Sequence, residues 1–179
     1  MPNNCVNELV IYIQCRAAEI WNAIKNKEGN GPDFNKLAPY PAEFAEADKE
    51  RAEFEKMYLA LPEDERRARA DEWKNRPKDG YNRGGYEWCQ ANWGTKWNAY
   101  ACKALRLPED DEDWTIVLQF ETAWGPASTI AQLIAKRWPD ADVSLQFWER
   151  GMAYQGLIQW ARGDRTLEFK APYHGHRGG

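Results

Sequence analysis

Catalysis needs titratable or nucleophilic side chains that can be brought together, and this chain of 179 residues offers few. The carboxylate pair to follow is Glu121 and Glu149, which close two apolar alternating runs around Ile116-Phe120 and Val143-Phe147. If those strands lie side by side, two carboxylates in one cleft can divide general acid and base work between them. The plainer reading, which is preferred, has them exposed or hydrogen-bonded to neighbouring loops. Both histidines, His174 and His176, fall in the last six residues, so a Ser/His/Asp or Cys/His site would require the tail to fold back. Their His-x-His spacing could hold a metal loosely, but residues 174–179 are expected to form a flexible, glycine-rich tail. Gly94-Thr95-Lys96 has Cys89 where a phosphate loop needs its first glycine, so there is no Walker motif. Asn82-Arg83-Gly84-Gly85 reads as a plain turn. The acidic run Glu109, Asp110, Asp111, Glu112 and Asp113 could meet a cation or a basic protein surface, against the simpler reading of a solvated loop. No enzyme activity, cofactor or metal is expected from these groups.

The four cysteines, Cys5, Cys15, Cys89 and Cys102, are irregularly spaced without a CxxC pair, which argues against a zinc ribbon. They are expected to be small buried residues in a reducing compartment. The formal charge of −4, from 28 acidic and 24 basic residues, lacks the broad basic footprint of a duplex-binding domain. No apolar stretch approaches the roughly 20 residues of a membrane span. The first residues show neither a basic nor an apolar leader region, so a cytoplasmic protein with no membrane partner is expected.

The elements that must position these groups follow from periodicity. Val6 to Ile13 reads as a strand and Arg16 to Lys27 as a helix, with Ile20, Trp21 and Ile24 on one face and Gly29-Asn30-Gly31-Pro32 as its stop. Residues 33 to 41 read as a proline-punctuated connector. Residues 42 to 76 read as a helical hairpin. Its first helix carries Phe44, Ala47, Phe54, Tyr58 and Leu61 on one stripe, with Arg51 where an apolar residue is expected. Pro62 opens the second helix, whose contacts are Ala68, Ala70 and Trp73. This hairpin is expected to be a solvated structural insertion, the sharper alternative being a partner-docking arm. Arg76 to Gly85 reads as a loop, and Trp93 to Cys102 as extended. Trp114, Ile116, Leu118 and Phe120 then share one strand face. Pro126 starts a helix bearing Ile130, Leu133, Ile134 and Trp138, ended by Pro139; two further strands contain Val143-Leu145-Phe147 and Tyr154 to Ala161. Without the insertion, the order is strand, helix, strand, strand, helix, strand, plus one hairpin strand. That is an α+β fold: a ferredoxin-like split βαβ sandwich over residues 1–173, with two helices on one face of an antiparallel sheet and an inserted helical hairpin at 42–76.

Ten tryptophans sharpen this reading. The segments Met1-Pro-Asn-x-Cys5-x-Asn7, Phe34-Asn35-Lys36-Leu37-Ala38-Pro39-Tyr40-Pro41, Asn92-Trp93-Gly94-Thr95-Lys96-Trp97, Phe120-Glu121-Thr122-Ala123-Trp124-Gly125-Pro126 and Glu149-x-Gly151 together resemble a phage- and plasmid-encoded family, the YubB-like proteins with a ferredoxin-like domain. The family opening usually carries Trp where this chain has Asn4. The resemblance implies the ferredoxin-like fold and a mobile-element origin, and no established catalytic activity.

Trp93, Trp97 and Trp124 are therefore expected where strand ends and loops meet, and Trp21, Trp114 and Trp138 in ordinary core. Trp73, Trp148 and Trp160 are left as candidates for an exposed binding face. The functional expectation is a non-enzymatic binding protein docking on a host or defence-system protein, an anti-defence or anti-CRISPR inhibitor being a specific form. The alternative is a single-stranded nucleic-acid or nucleotide binder that stacks bases on Trp148, Tyr154 and Trp160, with Lys96, Arg150 and Arg162 supplying charge. Neither RNP consensus is present.

Overall fold

The computed structural model describes residues 3–109 and 114–175. Its contacts divide into two units, one of Met1–Pro39 with Cys89–Gly179 and one of Tyr40–Trp88. The second is wider than the insertion expected at 42–76.

In the first unit, β1 (Asn4–Tyr12) alternates Cys5, Asn7, Leu9 and Ile11 into the core, so one face of the strand is committed to burial. It pairs antiparallel on both sides, with β3 (Thr115–Ala123) and with β4 (Asp142–Glu149). β2 (Tyr100–Arg106) extends the sheet beyond β3, while β5 (Tyr154–Ala161) and β6 (Asp164–Pro172) extend it beyond β4. The strand order is β2-β3-β1-β4-β5-β6, and every pairing is antiparallel. Ile116, Leu118 and Phe120, then Val143, Leu145 and Phe147, continue the buried face across the sheet.

Two helices cover that face. α1 (Ala17–Ile24) buries Ala17, Ile20, Trp21 and Ile24 and lies against β3; α7 (Ser128–Arg137) buries Ile130, Ala131, Ile134 and Ala135 and lies against β4, β5 and β6. Their apolar residues recur at helical spacing, so each helix meets the sheet with one stripe. α1 ends at Ile24, short of Lys27 and ahead of the Gly29–Pro32 turn expected to stop it, and α7 starts at Ser128, two residues after Pro126.

The connector at 33–41 is more ordered than its prolines suggest. It contains a short helix, α2 (Phe34–Leu37), capped by the Asp33 side chain accepting from Asn35 N at 3.0 Å. Phe34 is fully buried, edge-on to Phe120 and Trp93. The extended stretch expected from Trp93 is also revised: α6 (Gly85–Asn92) precedes it, and strand β2 starts only at Tyr100. Residues 93 to 99 instead clamp α2. The Trp93 indole N–H donates to Ala38 O at 2.9 Å, and the Asn98 side chain accepts from Phe34 N at 2.9 Å. β6 went unread because its residues are exposed on both faces and four of the nine are charged, leaving only Leu167 and Phe169 as a weak alternation. The cysteines divide: Cys5 and Cys89 are buried, Cys102 is half-buried, and Cys15 is exposed, contrary to expectation. Cys15 sits in the turn after β1 with φ of 61°, a corner with no core to enter.

In the second unit, α3 (Ala42–Leu59) is followed by α4 (Glu63–Ala68) and α5 (Ala70–Lys74), so the second arm of the expected hairpin breaks at Arg69. Phe54, Tyr58 and Trp73 pack together, with Tyr58 and Trp73 ring centroids 4.9 Å apart. Arg51 holds the stripe position that an apolar residue would have filled. Its stem is mostly buried while its guanidinium donates to Glu55 and Pro77 O. Tyr40 packs on Phe44 and Trp88, and a Cβ at Gly80 would fall 2.0 Å from Phe44 O, so only glycine lets those backbones approach.

Candidate functional site at one end of the sheet

The segments singled out in the sequence meet where β1 begins and β3 and β4 end. Asn7, fully buried, donates from its side-chain amide to Thr122 Oγ1 (2.8 Å) and Cys5 O (3.0 Å), while its Oδ1 accepts from Ala127 N (2.9 Å). One amide thus ties β1 to the turn that launches α7, and its polar atoms are satisfied in the core. Thr122 donates onward to Gly125 O at 2.6 Å. Buried Thr95 hydrogen-bonds both the N–H and the carbonyl of Ala123, anchoring the 92–97 segment to the end of β3. Trp124 is held at φ of 71°, a conformation costly for a bulky side chain. Its N–H donates to Asn3 O, and its carbonyl accepts from the Tyr154 hydroxyl. The ring is left 41% exposed, with Lys96 Nζ 5.0 Å from its centroid.

A cavity of about 720 Å³ opens at this end, lined by Trp97, Tyr100, Val6, Asn4, Glu121, Glu149 and Arg150 among others. Trp97 is 38% exposed, so part of the aromatic lining faces solvent. Asn4 bridges the wall: its amide donates to Glu121 Oε2 at 2.6 Å and its Oδ1 accepts from the Tyr100 hydroxyl at 2.9 Å. The position at which the family resemblance departs is therefore a polar brace of the cavity.

Glu121 and Glu149 both reach this cavity, but not as neighbouring strand ends. β1 runs between β3 and β4, with Val6 opposite Glu121 and Cys5 opposite Glu149. Glu149 is buried on the helix-covered side, and its two oxygens accept from Gly151 N and Met152 N, fixing the turn into β5. Glu121 lies on the uncovered side and takes the Asn4 amide. Each carboxylate thus has a structural partner. Burial, reinforced by the Glu149 carboxylate, pushes the Cys5 thiol up to about 12, which holds it protonated at neutral pH. Burial also raises Tyr154, with Cys5 and Glu149 adding to it, and raises Tyr100, with Glu121 adding to it. Among the described residues no group of three His, Cys, Asp or Glu side chains could hold a metal ion, and no helix is long and apolar enough to cross a membrane.

The other expected site residues are scattered. Tyr154 and Trp160 point to the helix-covered side of β5, where Trp160 is 3% exposed and Tyr154 packs on Phe147. Trp148 alternates to the opposite, uncovered face, level with Val6 and Gln155. The three aromatics therefore form no common stacking platform, because adjacent positions and odd register offsets on a strand alternate between faces. Trp73 is consumed by packing within Tyr40–Trp88. Glu109 is exposed, while Asp110, Asp111, Glu112, Asp113 and His176 lie outside the described residues. Trp97, Tyr100, Asn4 and Val6 were not singled out as site residues. The available signal was that Trp97, Asn4 and Val6 fall within segments that stood out for resemblance.

Residues 92–173 match a family model described as "Ferredoxin-like domain in Api92-like protein", so this stretch is a ferredoxin-like domain. The match takes in β2 to β6 and α7; the central strand β1 and helix α1 precede it. Among solved structures, the crystal structure of a protein api92 from Yersinia pseudotuberculosis is similar at 11% identity and a TM-score of 0.44, covering 98% of this chain and 99% of that one. No curated protein matches the chain.

Proposed function

We propose that this chain is a non-enzymatic binding protein of a phage or other mobile element, acting in the host cytoplasm by docking on a host or defence-system protein. The observation that carries the reading is the cavity of about 720 Å³ at the sheet end, where Trp97, Tyr100 and Arg150 line one opening. Those are the residue types that dominate binding energy in protein interfaces, and a concave, partly apolar site can receive an anchoring side chain. Glu121 and Glu149 are held by Asn4 and by the Gly151 and Met152 amides, an arrangement suited to shaping a wall rather than to transferring protons. The mobile-element origin rests on the resemblance of the five sequence segments. An anti-defence inhibitor, of the anti-CRISPR kind, is the specific form of this reading. The strand order β2-β3-β1-β4, with helices after β1 and β3, supports the finer reading of the fold as a split βαβ sandwich.

The test is affinity capture from host lysate with the wild-type chain and with Trp97→Ala and Tyr100→Ala, each checked for folding by circular dichroism. A discrete partner retained by the wild type and lost, by about tenfold or more in affinity, with either variant is expected. No partner, or one that both variants retain, overturns the reading. The nucleic-acid alternative keeps only Trp148 of its three aromatics on the uncovered sheet face.

A further inference from the structure

Although the Tyr40–Trp88 unit is acidic on balance, one cavity in it gathers cations. A cavity of about 480 Å³ there is lined by Arg51, Lys74, Arg76, Lys78, Asp79 and Asn82, so four of six lining residues are cationic. The single lining carboxylate is already engaged: Asp79 accepts from Asn82 N at 2.7 Å and from the Asn82 side-chain amide at 2.8 Å. Both guanidiniums are braced. Arg51, with its side chain 15% exposed, donates to Glu55 and to Pro77 O; Arg76 donates from Nη1 to Trp73 O at 2.7 Å and stacks 4.7 Å from the Trp73 centroid. Lys74 is paired at the surface with Asp71 at 3.2 Å.

One donor here is left over. Arg76 Nε is buried and has no hydrogen-bond partner. A buried, charged N–H without an acceptor is costly, and an oxyanion beside the guanidinium offsets part of that cost through its charge. Fixed guanidiniums also lose little side-chain freedom on engaging a ligand.

We infer that the cleft between Arg51, Lys74, Arg76 and Lys78 is an anion site that takes a phosphoryl group. The phosphoryl group reaches it either as free phosphate or as the diester of a nucleic-acid backbone. Arg76 supplies a braced guanidinium, and Lys78, exposed, supplies a further charge. This site belongs to the helical unit and does not depend on the cavity at the sheet end.

Isothermal titration of the full chain with inorganic pyrophosphate, and separately with a short single-stranded oligothymidine, tests it at low and moderate salt. Binding to at least one probe is expected, weakening as salt rises and falling about tenfold in Arg76→Gln and in Lys78→Gln. Lys49→Gln, on exposed α3 surface outside the cavity, should bind as wild type. Pyrophosphate binding identifies free phosphate as the source, and binding of the oligonucleotide alone identifies the diester. No binding of either probe overturns the inference. So does binding that Lys78→Gln leaves unchanged, since that exposed lysine can be replaced without disturbing the Trp73 packing.

Discussion

Asn7 and Cys5 occupy successive inward positions on β1, and each shows how one residue type serves a place where strand ends and turns converge. Asn7 brings two donors and an acceptor into a spot where a hydrocarbon would strand Thr122, Cys5 O and Ala127 N. Cys5 is the small, weakly polar neighbour whose thiol burial pushes up to about 12, from an ordinary value of 9.0. Well below pH 9 the thiol is protonated in both folded and unfolded chains and pH does nothing through it. As pH climbs from about 9 towards 12, the unfolded chain releases this proton while the folded chain retains it, so unfolding becomes easier. Cys102, pushed up to about 11 mainly by burial and then by Glu28, acts in the same direction. The urea midpoint should therefore fall between pH 8.5 and 11, and by less in Cys5→Ala; a midpoint that stays level across that range would contradict the burial of both thiols. Cys5 and Asn7 were marked in the sequence as fixed positions of the opening segment that carries the resemblance. Their roles were not legible, because the neighbouring strand and turn supply the partners.

Among the elements, α1, β1, β3, β4, β5 and α7 were readable because each carries one apolar face at the period of its own geometry. α2, α6 and β6 were not, for three different reasons. α2 is four residues long, sits between proline signals, and is stabilised by Asn98 and Trp93 from far along the chain. α6 begins within a glycine-rich stretch that reads as a loop. β6 is an edge strand whose charges keep both faces wet, as edges need to do to avoid pairing with other chains. The β4–β5–β6 part of the sheet nevertheless packs tightly at one point. A Cβ on Gly156 would lie 2.4 Å from Phe147 Cζ and 2.6 Å from Phe169 O, with no room for a methyl group unless the strands shift. Gly156→Ala should destabilise the protein by about 2 kcal/mol, read from urea unfolding. A cost below a few tenths of a kcal/mol would mean that β5 and β6 are more loosely paired than their close approach indicates.

For the whole molecule, burial is distributed very unevenly. β1 is paired along both edges and buries alternate residues over its length, whereas α4 and α5 bury none. Amides in β1, β3 and β4 should be the slowest in native-state hydrogen exchange, and those of α4 and α5 among the fastest; comparable protection in both sets would contradict this division. The same contrast separates what the amino-acid order determined from what it left open. Alternation and helical spacing alone specified two helices and most of the strands, because burying one face of each element is a local consequence of where apolar residues recur. The pattern of tryptophan-bearing segments also marked the parts of the chain that matter together. Which side chains meet was decided only in three dimensions. The order β2-β3-β1-β4 put β1 between Glu121 and Glu149, strand register sent Trp148 and Trp160 to opposite faces, and closure of the sheet end brought Trp97, Tyr100 and Asn4 around one cavity. A residue's own type fixes what it can bond to, but pairing register and strand order fix what lies within reach.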